Sequence, residues 1–74
     1  MSWALGLTLA QVQTLAETAW REVDAASVAR PGVTEWTLRR LAIDDYLRGR
    51  RPVCSRVEEK AIARACEAYA QGAA

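Results

Sequence analysis

Two breaks in a helix-favouring sequence divide this chain into three segments, and they constrain its fold more than any other feature. The first break is Arg30-Pro31-Gly32, and the second runs from Gly49 to Pro52. Proline disfavours helical geometry in the residue before it, and glycine tolerates the left-handed turn that often ends a helix. We therefore expect three helices, at about residues 9 to 28, 35 to 48 and 56 to 71.

Each segment opens with a residue that can cap a helix. Thr8 with Gln11, and Ser55 with Glu58, have the spacing of a capping box. Thr34 precedes the middle segment and is expected to cap it. Such caps bond the backbone N–H groups of the first turn, which have no partner within the helix. The three caps therefore predict where the helices begin.

Apolar residues recur at helical spacing in the first and third segments, which gives each segment one face for burial. The middle segment has two apolar groups, which favours a position against both neighbours or a second subunit. We expect an all-α, compact three-helix bundle that occupies residues 1–74 as a single domain. The expected buried stripes are Val12, Leu15, Ala16, Ala19, Trp20, Val23 and Ala26 in the first segment, and Val57, Ala61, Ile62, Ala65, Cys66 and Tyr69 in the third.

Size and composition limit the classes of function. A chain of 74 residues buries only about 60% of the surface that its unfolded state exposes, so association with a second copy or a partner would add stability. Cys54 and Cys66 are too few for a disulfide scaffold, and we expect free thiols in the cytoplasm. Cys54 precedes a helix start, a position that can lower the pKa of a thiol. The apolar first residues lack the features of a signal peptide or membrane span.

Catalysis is not expected. Acid–base and nucleophilic mechanisms need a proton carrier or nucleophile beside an activating group, and the chain has no histidine. The neighbouring carboxylates Asp44-Asp45 and Glu58-Glu59 point about 100° apart on a helix, so neither pair forms a shared site. Two cysteines without histidine are too few for a structural zinc site. We expect no enzyme activity, cofactor, metal or small-molecule substrate.

Positive charge gathers in the second half of the chain. The ten basic residues nearly balance the nine acidic ones. From Arg39 to Arg64, however, eight cations stand against four anions, whereas residues 1–38 carry two cations and four anions. Nine of the ten cations are arginine, whose planar guanidinium binds phosphate or carboxylate with two hydrogen bonds. The second half is therefore the expected recognition surface.

The segment from Gly32 to Leu41 places a turn glycine, a helix start and two arginines close together. Gly32, Val33 and Thr34, followed by Leu38 and Leu41, resemble the second half of the motif in small bacterial and phage helix-turn-helix regulators. The resemblance spans roughly residues 26 to 49. It implies a helix-turn-helix-like second and third segment and a regulator of transcription that binds double-stranded DNA through its second helix.

The resemblance also implies which side chains meet DNA. Thr34 would bind phosphate at the helix start, and Arg39 and Arg40 would read guanine in the major groove. Trp36 and Ile43 would share this outward face, while Leu38 and Leu41 would be buried. The arginine-rich loop would clamp the DNA backbone. The resulting set of nucleic-acid-binding residues is Thr34, Trp36, Arg39, Arg40, Arg48, Arg50, Arg51 and Arg56.

Three alternatives stay open, one of them a structural subunit of some larger particle. The chain could be a helical protein-interaction module, such as a phage-encoded inhibitor or an assembly adaptor, that binds a protein partner through Trp36 and the arginine cluster. Arg39 and Arg40 could instead form a solvated face, paired with nearby carboxylates at helical spacing. A DNA-binding protein or an interaction module could each act as a homodimer.

Overall fold

A computed structural model describes residues 6–26 and 32–73 of the chain. Within these ranges the chain forms three α-helices and no strand: α1 Leu9–Ala26, α2 Trp36–Leu47 and α3 Arg56–Ala68. The prediction of an all-α three-helix fold is confirmed. The predicted end of the first helix near residue 28 and the break at Arg30 and Pro31 lie outside the described ranges. None of the described helices combines the length and apolarity needed to cross a bilayer.

The capping boxes at the starts of α1 and α3 form as predicted. The hydroxyl of Thr8 accepts from the backbone N–H of Gln11, and the side chain of Gln11 accepts from the backbone N–H of Thr8, at 3.2 and 2.8 Å. Ser55 and Glu58 make the same reciprocal pair at the start of α3. The prediction that Thr34 caps α2 is wrong, because this helix begins one residue later, after Glu35, and no side chain caps it.

The core lies mainly between α1 and α3, with α2 packed more against α1 than against α3. Trp20 is almost fully buried at its centre, as predicted. Val57 was expected in the buried stripe of α3 but is 64% exposed. The reason is that Glu58 occupies the inward position in the first turn of α3, and the neighbouring residue points about 100° away from it. The buried apolar residues are Val12, Leu15, Ala16, Ala19, Trp20, Val23, Val33, Ala42, Ile43, Ala61, Ile62, Ala65 and Cys66.

Helix α2 turns a different face inward from the one the helix-turn-helix resemblance implies. Ile43 and Arg39, expected to face outward, are 0% and 3% exposed. Leu38 and Leu41, expected to be buried, are 49% and 47% exposed. The outer face of α2 is therefore partly aliphatic.

Candidate functional site

The structure places Arg39 inside the bundle. Its Nη1 and Nη2 donate to the carboxylate of Asp24 at 3.0 and 2.8 Å, and its Nε donates to the carbonyl of Val33 at 2.6 Å. The guanidinium carbon lies 5.2 and 5.0 Å from the ring centroids of Trp20 and Trp36. A buried guanidinium requires such partners, because an unpaired charge in the interior is very costly. The prediction that Arg39 reads bases is therefore wrong, since its guanidinium is committed to its own chain.

Glu58 is the second buried charged group at the centre of the fold, and it is 1% exposed. Its Oε2 accepts from the indole N–H of Trp20 and the backbone N–H of Val33, both at 2.8 Å. Its Oε1 accepts from the backbone N–H of Ser55 at 2.9 Å. Gly32 lies so close to Oε1 that a Cβ on this glycine would collide with it. Glu58 thus holds together α1, the turn before α2 and the start of α3.

The hydrogen bonds also determine the ionisation of Glu58. Burial alone would raise the pKa of this carboxyl, but the hydrogen bonds from Trp20, Ser55 and Val33 stabilise the charged form more strongly and lower its pKa below the ordinary 4.5. Among the described residues, every buried side-chain nitrogen and oxygen has a hydrogen-bond partner. Glu58 therefore serves the fold as a fully bonded carboxylate.

A groove of about 640 Å³ opens along the outer face of α2. Leu38 and Leu41 form one side, and Val53, which is 88% exposed, stands on the loop before α3. The buried side chains of Val33 and Ala42 also contribute to its lining. Most of its surface is apolar. The described residues that line it are Gly32, Val33, Thr34, Glu35, Leu38, Leu41, Ala42, Asp45, Val53, Cys54 and Ser55.

The charges in this groove are all of one sign. Its described lining includes the carboxylates of Glu35 and Asp45 and no cation. Ten residues of helical rise separate these two positions, which corresponds to about 15 Å. The groove therefore has an apolar middle flanked by Glu35 and by Asp45, whose carboxylate also lies 3.8 Å from the guanidinium of Arg50.

Cys54 lines the same groove and is half-buried. Burial raises the pKa of its thiol to about 11, and the charges of Glu58 and Glu59 add to that effect. The nearby helix start does not lower this pKa, because desolvation and the two carboxylates oppose the thiolate. Cys54 is protonated at neutral pH and contributes an uncharged surface to the groove.

The groove was not predicted from the sequence, because Leu38 and Leu41 were expected to lie in the core. The available signal was the distribution of apolar residues on two faces of α2. One face fills the core, and the other remains exposed along the groove.

The remaining arginines on the predicted surface divide into two groups. Arg48 is paired with Asp44 through its Nε at 2.9 Å, and Arg40 is half-buried. Arg50, Arg51 and Arg56 are exposed and line one shallow depression of about 520 Å³, together with Tyr46, Gly49 and Glu59. Of the eight side chains assigned to nucleic acid, the structure brings these three together.

Thr34 and Trp36 do not line this shallow depression. Thr34 is exposed and lines the groove. Trp36 is 42% exposed and packs against the guanidinium of Arg39. In the described part of the chain, no group of cysteine and carboxylate side chains is arranged to hold a metal ion.

Comparison of the chain with known protein families, with curated proteins and with solved structures finds no match.

Proposed function

We propose that this protein is an interaction module that holds an apolar segment of a partner protein in the groove along α2. The observation that carries this proposal is that Leu38, Leu41 and Val53, each about half exposed or more, line one groove. Single exposed apolar residues are common on any protein surface. A contiguous apolar patch with a polar rim is typical of a surface that binds another protein.

The charges favour a partner with basic residues beside its apolar ones. A two-fold dimer formed through this groove would bring the same patch of each copy together. Glu35 of one copy would then approach the acidic lining of the other, which includes no cation, and like charges across an interface oppose binding. The expected occupant is a segment with an apolar centre and a lysine or arginine at the end that meets Glu35. About ten helical residues would span the groove.

The size of the apolar surface indicates a transient complex. Full burial of a leucine or valine side chain contributes about 1.5–3 kcal/mol, so covering the exposed half of Leu38 or Leu41 contributes about 1 kcal/mol. The loss of translational and rotational freedom on association opposes this gain. The charges of the groove and contacts beyond it must supply the rest of the affinity.

A displayed library of random peptides tests this proposal. Peptides of about ten residues would be selected on the folded protein, counter-selected on the double variant Leu38→Ser/Leu41→Ser, and their affinities measured by fluorescence anisotropy. We expect enriched peptides to carry two apolar residues on one helical face, with lysine or arginine at one end. Replacing their basic residues with glutamate should weaken binding at least about tenfold, which corresponds to about 1.4 kcal/mol.

The matched control is Leu9→Ser on α1. Leu9 is 51% exposed, close to the exposure of Leu38 and Leu41, but does not line the groove. This variant should bind the selected peptides as the unchanged protein does. The proposal fails if Leu41→Ser retains full affinity, or if acidic rather than basic peptides are enriched. It also fails if the protein forms a dimer that Leu41→Ser dissociates, because the groove would then hold a second copy.

A further inference from the structure

The exposed face of α3 carries a row of cations that do not line the groove. Arg56, Lys60 and Arg64 lie four residues apart, and all three are exposed. Four residues of an α-helix rise about 6 Å, so the row extends about 12 Å along one side of α3. It begins at the shallow depression where Arg56 meets Arg50 and Arg51.

The loop after α2 is folded so that Arg50 and Arg51 join this row. Gly49 adopts a left-handed φ of 78°, which favours glycine. Its N–H donates to the carbonyl of Tyr46 at 3.1 Å, and the N–H of Arg50 donates to the carbonyl of Asp45 at 2.8 Å. The side chains of Arg50 and Asp45 approach to 3.8 Å. The loop is thereby tied to the end of α2, with both arginines beside the start of α3.

These residues concentrate the positive charge of the molecule. We define the basic track as Arg50, Arg51, Arg56, Lys60 and Arg64; the carboxylates of Asp45, paired with Arg50, and Glu59, in the depression, lie beside it. Glu67 follows Arg64 by three residues on the same exposed side of α3, so five cations stand against three anions, in a chain whose total charge is +1. An uneven distribution of this kind produces a local positive potential that the net charge conceals.

We propose that the basic track binds the phosphodiester backbone of a nucleic acid. Guanidinium groups bind phosphate oxygens in a bidentate manner, and regularly spaced cations along a helix match a linear polyanion. Small-molecule ligands are usually enclosed in a mostly apolar pocket, whereas this depression is shallow and largely polar. Contacts to phosphate position a protein on nucleic acid but do not read sequence. The track therefore binds without sequence preference, and none of its five cations lines the groove.

Fluorescence anisotropy with labelled DNA duplexes of about 20 base pairs tests the track. Two duplexes of unrelated sequence should bind alike. If four or five cations each neutralise one phosphate, affinity should fall at least a hundredfold between about 50 and 200 mM salt. Arg56→Gln/Lys60→Gln should weaken binding at least tenfold at about 50 mM salt, and reduce the slope of log affinity against log salt by about 1.8. Circular dichroism verifies that the variant keeps its helices.

The control variant Arg21→Gln/Gln13→Glu lowers the net charge by the same two units on the exposed surface of α1 and should retain most of the affinity. Equal losses in the two double variants would overturn the proposal, since net charge alone would then explain binding. Poly-glutamate should compete poorly with DNA. If poly-glutamate competes as well as unlabelled DNA, the track binds an acidic protein instead. If the protein binds no DNA at low salt, the proposal of nucleic-acid binding is refuted. Leu41→Ser should bind DNA normally, so failure of the groove proposal leaves this result unchanged.

Discussion

The indole nitrogen of Trp20 donates a 2.8 Å hydrogen bond to the carboxylate of Glu58, and both side chains are almost fully buried. This bond joins α1 to α3 across 38 positions of the chain. The same oxygen of Glu58 accepts from the backbone N–H of Val33. Because Val33 lines the groove, the buried carboxylate supports the shape of the surface that we propose binds a partner.

Glu58→Gln should lower the free energy of unfolding by about 1.5–3 kcal/mol, the usual contribution of a hydrogen bond to a charged group. Glutamine has one carbonyl oxygen, so its amide nitrogen would face at least one of the N–H donors that now bond to the carboxylate. Urea denaturation followed by circular dichroism measures the change. Glu59→Gln is the control on the same helix and should change stability by less than about 0.5 kcal/mol. Equal stability of the two variants would contradict the role assigned to Glu58.

Stability should fall in acid because the pKa of Glu58 is lowered in the folded state. Burial opposes this shift, but the hydrogen bonds from Trp20, Ser55 and Val33 outweigh it. A carboxylate whose folded pKa lies below its ordinary 4.5 contributes stability above that pH, and the contribution is lost as the pH falls through the folded pKa. Urea denaturation from about pH 6 to pH 3 should show this loss. The decline should be smaller in Glu58→Gln, whereas Glu59→Gln should follow the unchanged protein.

Features set by neighbouring residues were predictable from the sequence. The capping boxes Thr8/Gln11 and Ser55/Glu58 each depend on residues three positions apart, and both form. The helical fold and the burial of Trp20 follow from apolar spacing within single segments. Each of these predictions required only the local chain.

The orientation of α2 depends on distant residues, and it could not be read from the middle segment alone. Leucines on one face of α2 and Ile43 on another give no local preference for either face. The face of α2 that carries Arg39 can be buried because Asp24, fifteen positions earlier, neutralises the charge of this arginine. The burial of Glu58 likewise depends on Trp20, which is distant in sequence. Local spacing predicted the helices but not which α2 face would remain open as the groove.

Thr34 and Ser55, both predicted to cap helices, should respond differently to truncation. Ser55→Ala removes a hydroxyl that accepts from the N–H of Glu58, and loss of such a cap costs about 1 kcal/mol. Thr34 lies before Glu35, where no side chain caps α2, so Thr34→Ala should change stability by less than about 0.5 kcal/mol. Thermal or urea unfolding of both variants measures the difference. A larger loss in Thr34→Ala than in Ser55→Ala would show that α2 begins earlier than described.

Arg39→Ala should destabilise the fold rather than act on a bound ligand directly. The substitution removes hydrogen bonds to Asp24 and to the carbonyl of Val33, and it removes the cation between the rings of Trp20 and Trp36. Hydrogen bonds to charged groups contribute about 1.5–3 kcal/mol and cation–π contacts about 0.5–1 kcal/mol, so we expect a loss of about 2–4 kcal/mol in the free energy of unfolding.

Arg39→Lys should recover only part of this loss, because an ammonium group lacks the planar fork that bonds to Asp24 and Val33 together. Arg40→Ala is the control on the neighbouring, half-buried side chain and should cost less than Arg39→Ala. Under conditions where Arg39→Ala stays folded, its affinity for DNA should equal that of the unchanged protein. A variant of normal stability that lost DNA binding would instead place Arg39 on a nucleic-acid surface, and the buried position of its guanidinium would be refuted.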